Sequence, residues 1–177
     1  MDELELSVGP PNPDLPPEPG EWMRRFASVP LLYQPGRTWM YNTGAEVLGV
    51  LIARGGRPFE SFLAERIFEP LGMVDTGFSV PADKLDRLPP HYAPDPGTEE
   101  LTVYDDSAGR WSRPPAFPSG GGGLVSTADD YLAFTSWTSD PLEEMVVILM
   151  TTTMWTSPTP PPVFLDFRTS PYQAIDD

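Results

Sequence analysis

The chain has 177 residues, no cysteine, and a formal net charge of −15 from 26 acidic and 11 basic residues. That length suits one domain or slightly more, and a cysteine count of zero excludes disulfides, thiolate catalysis and cysteine–metal sites. The acidity disfavours nucleic acid and anionic lipid as partners, and the one histidine, His91, cannot build a multi-histidine metal site, so neither metal nor cofactor is expected.

Hydrophobic content is 40%, enough for a lean core. The 24 prolines exceed the roughly nine of average usage, so many turns and few long helices follow. The acidic start, Met1-Asp2-Glu3-Leu4-Glu5, has no apolar segment of signal-peptide type. No apolar run approaches the ~20 residues of a spanning helix. A cytoplasmic protein without membrane contact is the expectation, although a chain missing its true N-terminus would read the same way.

In chain order, residues 1–19 form a flexible, polyproline-like segment carrying Pro10, Pro11, Pro13, Pro16, Pro17 and Pro19. Gly20 to Ser28 reads as a helix, with Trp22, Phe26 and Val29 at spacings of four and three on one face. A turn at Gln34-Pro35-Gly36-Arg37 leads into Trp39-Met40-Tyr41-Asn42-Thr43-Gly44. A buried helix then runs over about Ala45 to Arg54, capped by Asn42 or Thr43 with Glu46 in its first turn, and ends at Gly55-Gly56. The next helix starts behind Pro58, buries Phe59, Phe62, Leu63 and Ile67, and closes at Pro70 and Gly72.

Asp75 to Val80 reads as extended and 81–100 as loop, where His91 is expected to be solvated. Leu101 to Tyr104 and Arg110 to Ser112 make a hairpin candidate around Asp105–Gly109. Ser119 to Gly123 reads as a flexible turn, and Ser126 or Thr127 caps a short helix. Residues 20–134 thus form one helical and loop region. Residues 135–177 read as two antiparallel strands, Thr135–Thr138 and Met145–Met154, followed by a helical pattern from Val163 to Ile175 that Pro171 interrupts.

The stretch Tyr33 to Gly44, then Val47-Leu48-Gly49, Phe62-Leu63 and Arg66-Ile67-Phe68-Glu69-Pro70-Leu71-Gly72-Met73-Val74-Asp75-Thr76, resembles the serine β-lactamase-like hydrolases. That group includes class C β-lactamases, D-alanyl-D-alanine carboxypeptidases and related esterases. Gly121 to Asp130 is similar to the family's glycine turn and following helix. The resemblance implies an α+β, β-lactamase/transpeptidase-like fold: a helical region plus an antiparallel sheet, truncated here, with a C-terminal helix. It implies a small-molecule ester or amide substrate, Tyr41 as the catalytic general base, and Trp39, Asn42 and Thr43 as substrate-binding residues. Trp39-Met40-Tyr41-Asn42 fits the esterase form of the motif better than the lactamase form, whose third position is asparagine where Thr43 stands here.

The family's nucleophile is the serine of a Ser-x-x-Lys motif, in which one helical turn brings an amine beside a hydroxyl that is a weak nucleophile unassisted. The only lysine here is Lys84, and Pro81 stands three residues before it. The third family motif is also missing; it would fall between Phe134 and Thr135. An absent N-terminal portion and an internal deletion are therefore expected, and with them an inactive chain. No other nucleophile replaces the motif. His91 has no serine partner in sequence, no Gly-x-Ser-x-Gly elbow occurs, and Gly120–Gly123 lacks the ending of a phosphate loop. Asp105-Asp106 and Asp129-Asp130 read as turn and helix-start residues. The alternative is a non-catalytic remnant or binding protein of the same fold. A two-stranded sheet with an apolar Met145–Met150 strand further predicts weak stability, or self-association through the exposed sheet edge.

Overall fold

A computed structural model describes residues 6, 11–34, 36–39, 43–95, 97–98 and 100–138. Helix α1 spans Pro19–Phe26, α2 Thr43–Arg54 and α3 Phe59–Leu63. A wider helical turn, Ala64–Phe68, joins α3 without a break to α4, Glu69–Leu71. Strands β1, His91–Pro94, and β2, Leu101–Asp105, pair antiparallel, and α5 covers Ala128–Thr138. This mixture of helices with a small antiparallel sheet is the α+β class anticipated above.

Local chemistry explains the helix ends. Pro19 opens α1, where its missing N–H costs nothing. The Glu18 carboxylate accepts from Gly20 N at 2.9 Å and Glu21 N at 2.7 Å, filling two orphan donors. The helix from Phe59 ends at Gly72, whose φ of 70° lies in the left-handed region. Gly72 N donates to Glu69 O and Met73 N to Phe68 O, the two bonds of a Schellman ending.

The core gathers Leu6, Trp22, Val50 and Phe117, with Met23, Phe26, Val29 and Val47 packed against it. Trp22 stacks on Phe26 at 5.0 Å and meets Phe117 at 5.1 Å, so α1 is anchored by its aromatic face.

Five expectations need correction. The described part of the proline-rich segment is not free: Leu6 and Pro16 are buried, and Asp14 pairs with Arg113 at 2.8 Å. Proline suits this role, because a buried proline leaves no N–H to satisfy. Second, β2 pairs with His91–Pro94 and not with Arg110–Ser112 (Tyr92 faces Val103 and Pro94 faces Leu101). Arg110–Ser112 is a 3-10 turn instead. Buried Asp105 captures Arg110 N at 3.1 Å and closes the intervening turn on itself.

Third, His91 is half-buried in β1, edge-on to Trp111 with ring centroids 5.1 Å apart. Fourth, Thr135–Thr138 continues α5 and is not a strand. The Thr135 hydroxyl donates to Tyr131 O at 2.9 Å, the back-bond that reconciles a β-branched residue with a helix. The expected strand and helix beyond Thr138 lie outside the described residues. The fifth correction concerns the glycine turn and belongs to the site.

Candidate functional site

Of the four residues assigned to the site, Trp39 and Thr43 are described; Tyr41 and Asn42 lie outside the described residues. Trp39 is 82% exposed. Thr43 is half-buried and is the first residue of α2. The frame that holds this end of α2 is well defined.

Glu46, in the first turn of α2, accepts from Ser119 Oγ at 2.7 Å and from Gly120 N at 3.1 Å. Ser119 Oγ in turn accepts from Gly121 N at 3.1 Å. Gly120 lies so close to the helix that a Cβ there would sit 2.1 Å from Ala45 O, and one on Gly121 would sit 2.7 Å from Glu46 Oε1. Gly123 has a φ of 86°, and its carbonyl accepts from Trp111 Nε1 at 3.0 Å. The glycine run therefore is a pinned wall, not the flexible turn anticipated. Its glycines serve close backbone approach, and that approach fixes the start of α2 just after Tyr41. A cavity of about 50 Å³ lies beside this clamp, walled by Pro11, Asn12, Trp22, Glu46, Phe117 and Ser119. Glu46 reads in sequence as a helix-dipole acid only. Nothing near it in the chain announces a partner 73 residues away.

A second polar cluster fixes the next layer. Buried Asp130 accepts from Asp75 N at 2.7 Å and from Thr76 Oγ1 at 2.8 Å, and Thr76 Oγ1 shares a 2.8 Å hydrogen bond with Ser126 Oγ. Thr127 caps α5, its Oγ1 accepting from Asp130 N at 3.2 Å. Asp75 pairs with Lys84 and, at 2.8 Å, with Arg87. Hydrogen bonds from Lys84 and then Arg87 hold the Asp75 carboxyl below the usual carboxylate range. Asp75, Thr76, Lys84, Arg87, Ser126 and Thr127 line a cavity of about 190 Å³. Lys84, the only lysine, is thus engaged by a carboxylate, and Ser126 belongs to a hydrogen-bonded lock. Neither stands as a nucleophile–base pair of the kind activation requires.

Among the described residues, no buried side-chain polar atom lacks a partner, and no group of three or more His, Asp or Glu is placed to hold a metal ion. No described helix is long and apolar enough to cross a membrane.

The sequence matches the β-lactamase family over residues 5–173, and the chain belongs to that family. It is 39% identical over 117 residues to an uncharacterized protein of Mycobacterium tuberculosis, covering 66% of this chain and 29% of that protein. It is 35% identical over 125 residues to Esterase EstB of Burkholderia gladioli, covering 63% of this chain and 32% of the esterase. Among solved structures it is similar to EstCE1, a hydrolase with promiscuous acyltransferase activity, with a TM-score of 0.59, 25% identity, and coverage of 74% of this chain and 37% of that one. D-amino acid amidase from Ochrobactrum anthropi SV3 shares the fold, with a TM-score of 0.52, 24% identity, and coverage of 80% and 43%. The chain spans about a third of the length of the curated relatives it matches.

Proposed function

We propose that this chain carries the tyrosine-bearing frame of an esterase-type serine hydrolase but does not itself complete the catalytic cycle. In this reading Tyr41 is the general base, Trp39, Asn42 and Thr43 border an ester or amide substrate, and the hydroxyl and amine that Tyr41 would assist are missing from these 177 residues. One observation carries the reading. The sequence has family membership over 5–173, yet its one lysine follows Pro81 at the Ser-x-x-Lys spacing and is engaged by Asp75.

The esterase assignment is supported by the Trp39-Met40-Tyr41-Asn42 pattern and by the esterase among the relatives. The Glu46–Ser119–Gly120 clamp supports the idea of a held frame, since it fixes the first turn of α2, which begins at Thr43.

The test is turnover of a short-chain nitrophenyl ester and of a chromogenic cephalosporin by the purified chain and by Tyr41→Phe. The expected rates are equal in both proteins and indistinguishable from buffer. Turnover by the unsubstituted chain that Tyr41→Phe abolishes would mean that a nucleophile is present after all.

A further inference from the structure

Residues 11–17 lie against the glycine wall. A Cβ on Gly122 would sit 3.3 Å from Pro11 Cγ, and one on Gly123 would sit 3.8 Å from Pro11 Cβ. Pro16 is buried, and Pro11, Asn12, Pro13 and Pro16 form one side of the cavity beside Glu46. Both flanks of the segment are anchored. Leu6 sits in the core with Trp22, and Glu18 caps α1.

Between those anchors the hold is slight. Among the described residues, the backbone of 11–17 makes no hydrogen bond to the rest of the chain. Asp14 N donates to Asn12 Oδ1 and Leu15 N to Asn12 O, each at 3.2 Å, so these amides close a turn within the segment. The polar ties outward run through Asp14, which pairs with Arg113 at 2.8 Å and lies 3.8 Å from Arg110. Asp14 and Arg113 are both exposed, and exposed pairs are weak. The cavity beneath weakens the packing too, since atoms that line a void have no partner on that side.

Lifting the segment would strand no charge. Asp14 and Arg113 are already at the surface, and Arg110 keeps its place over the Tyr104 ring, 4.3 Å from the centroid. A segment with its amides bonded internally, a partly empty floor and no buried charge to strand has the character of a unit that opens locally, at less cost than global unfolding.

We propose that residues 11–17 are a strap that opens independently of the helices, that Asp14 latches it through Arg113 and Arg110, and that opening bares the cavity floor formed by Trp22, Glu46, Phe117 and Ser119. The strap thereby controls access to the clamp at the start of α2. Prolines suit a part that must close again, because their fixed φ leaves less freedom to lose on docking.

The chain has no cysteine, so one introduced thiol reports one position. Pro16→Cys and, separately, Val50→Cys are labelled in the 177-residue chain with N-ethylmaleimide, an uncharged reagent. Each native rate is divided by the rate of the same chain unfolded in urea. The expected rate at position 16 is well below the unfolded rate, yet at least about tenfold above that at position 50, a core site that reacts only on global unfolding. Asp14→Asn and Arg113→Gln should each raise the rate at position 16 about threefold, in keeping with the worth of an exposed pair. A direct charge effect on the thiol would move these two variants in opposite directions, since one removes an anion and the other a cation. Pro115→Cys, on a cavity wall outside the strap, repeats the measurement should the thiol at position 16 prove unprotected. Equal rates at positions 16 and 50, no acceleration in the two latch variants, opposite changes in them, or thiols unprotected at both 16 and 115 would each overturn the proposal. None of these outcomes depends on the ester-hydrolysis result.

Discussion

At the scale of single residues, the site's frame depends on glycines that have no room for a methyl group. Gly120 is the clearest, because its Cβ would fall 2.1 Å from a backbone oxygen that cannot rotate away. Gly120→Ala should lower stability by about 2–3 kcal/mol, the upper part of the range for overpacking, and so lower Tm by roughly 5–10 °C. Gly44→Ala makes a useful contrast. It lies in the first turn of α2 with nothing within 4 Å of where the added methyl would sit, so the better helix former should raise stability by about 0.5 kcal/mol. Thermal melts of the two variants check both signs. Asp130 is the polar counterpart. Asp130→Ala would strand Asp75 N–H and leave the Thr76 hydroxyl with Ser126 Oγ alone, and should cost about 2–3 kcal/mol, whereas loss of exposed Asp129 from the same turn should cost under about 0.5 kcal/mol.

At the scale of elements, α1 has a pH dependence of predictable sign. Hydrogen bonds from Arg24 first, then Arg25, lower the Glu21 pKa from 4.5 to about 2. A lowered carboxyl pKa adds stability above the unfolded value, and that addition is lost as the pH falls through the folded value. The stability difference between the unsubstituted chain and Glu21→Gln should therefore hold above about pH 5 and shrink as the pH falls from about 4.5 to about 2. A difference that persisted unchanged at pH 2 would remove the ion pairs from the account of this helix.

The elements also show what was legible in the sequence. The helix from Phe59 could be read to its end because Gly72 supplies a left-handed stop, a strictly local signal. α1 was legible from Trp22 and Phe26 on one face. β1 was hidden, because His91-Tyr92-Ala93-Pro94 has no alternation and its pairing depends on a turn at Asp95, which accepts from Gly97 N and Thr98 N. Thr135–Thr138 has the composition of a strand, yet the helix capped at Thr127 propagates through it. The site was legible only in part for the same reason. The Glu46–Ser119 bond joins residues far apart in sequence and leaves no trace in either neighbourhood.

At the scale of the whole molecule, a β-lactamase family chain spans about a third of the length of the relatives it matches. The central claim is that the tyrosine frame stands here without its nucleophile. Intact-mass spectrometry after incubation with a serine-reactive fluorophosphonate tests it most directly, since the reagent reports an activated hydroxyl whether or not turnover follows. The account predicts that the chain and Tyr41→Phe each keep their own unmodified mass, with no adduct on either. A single stoichiometric adduct, mapped to one serine and lost in Tyr41→Phe, would contradict it.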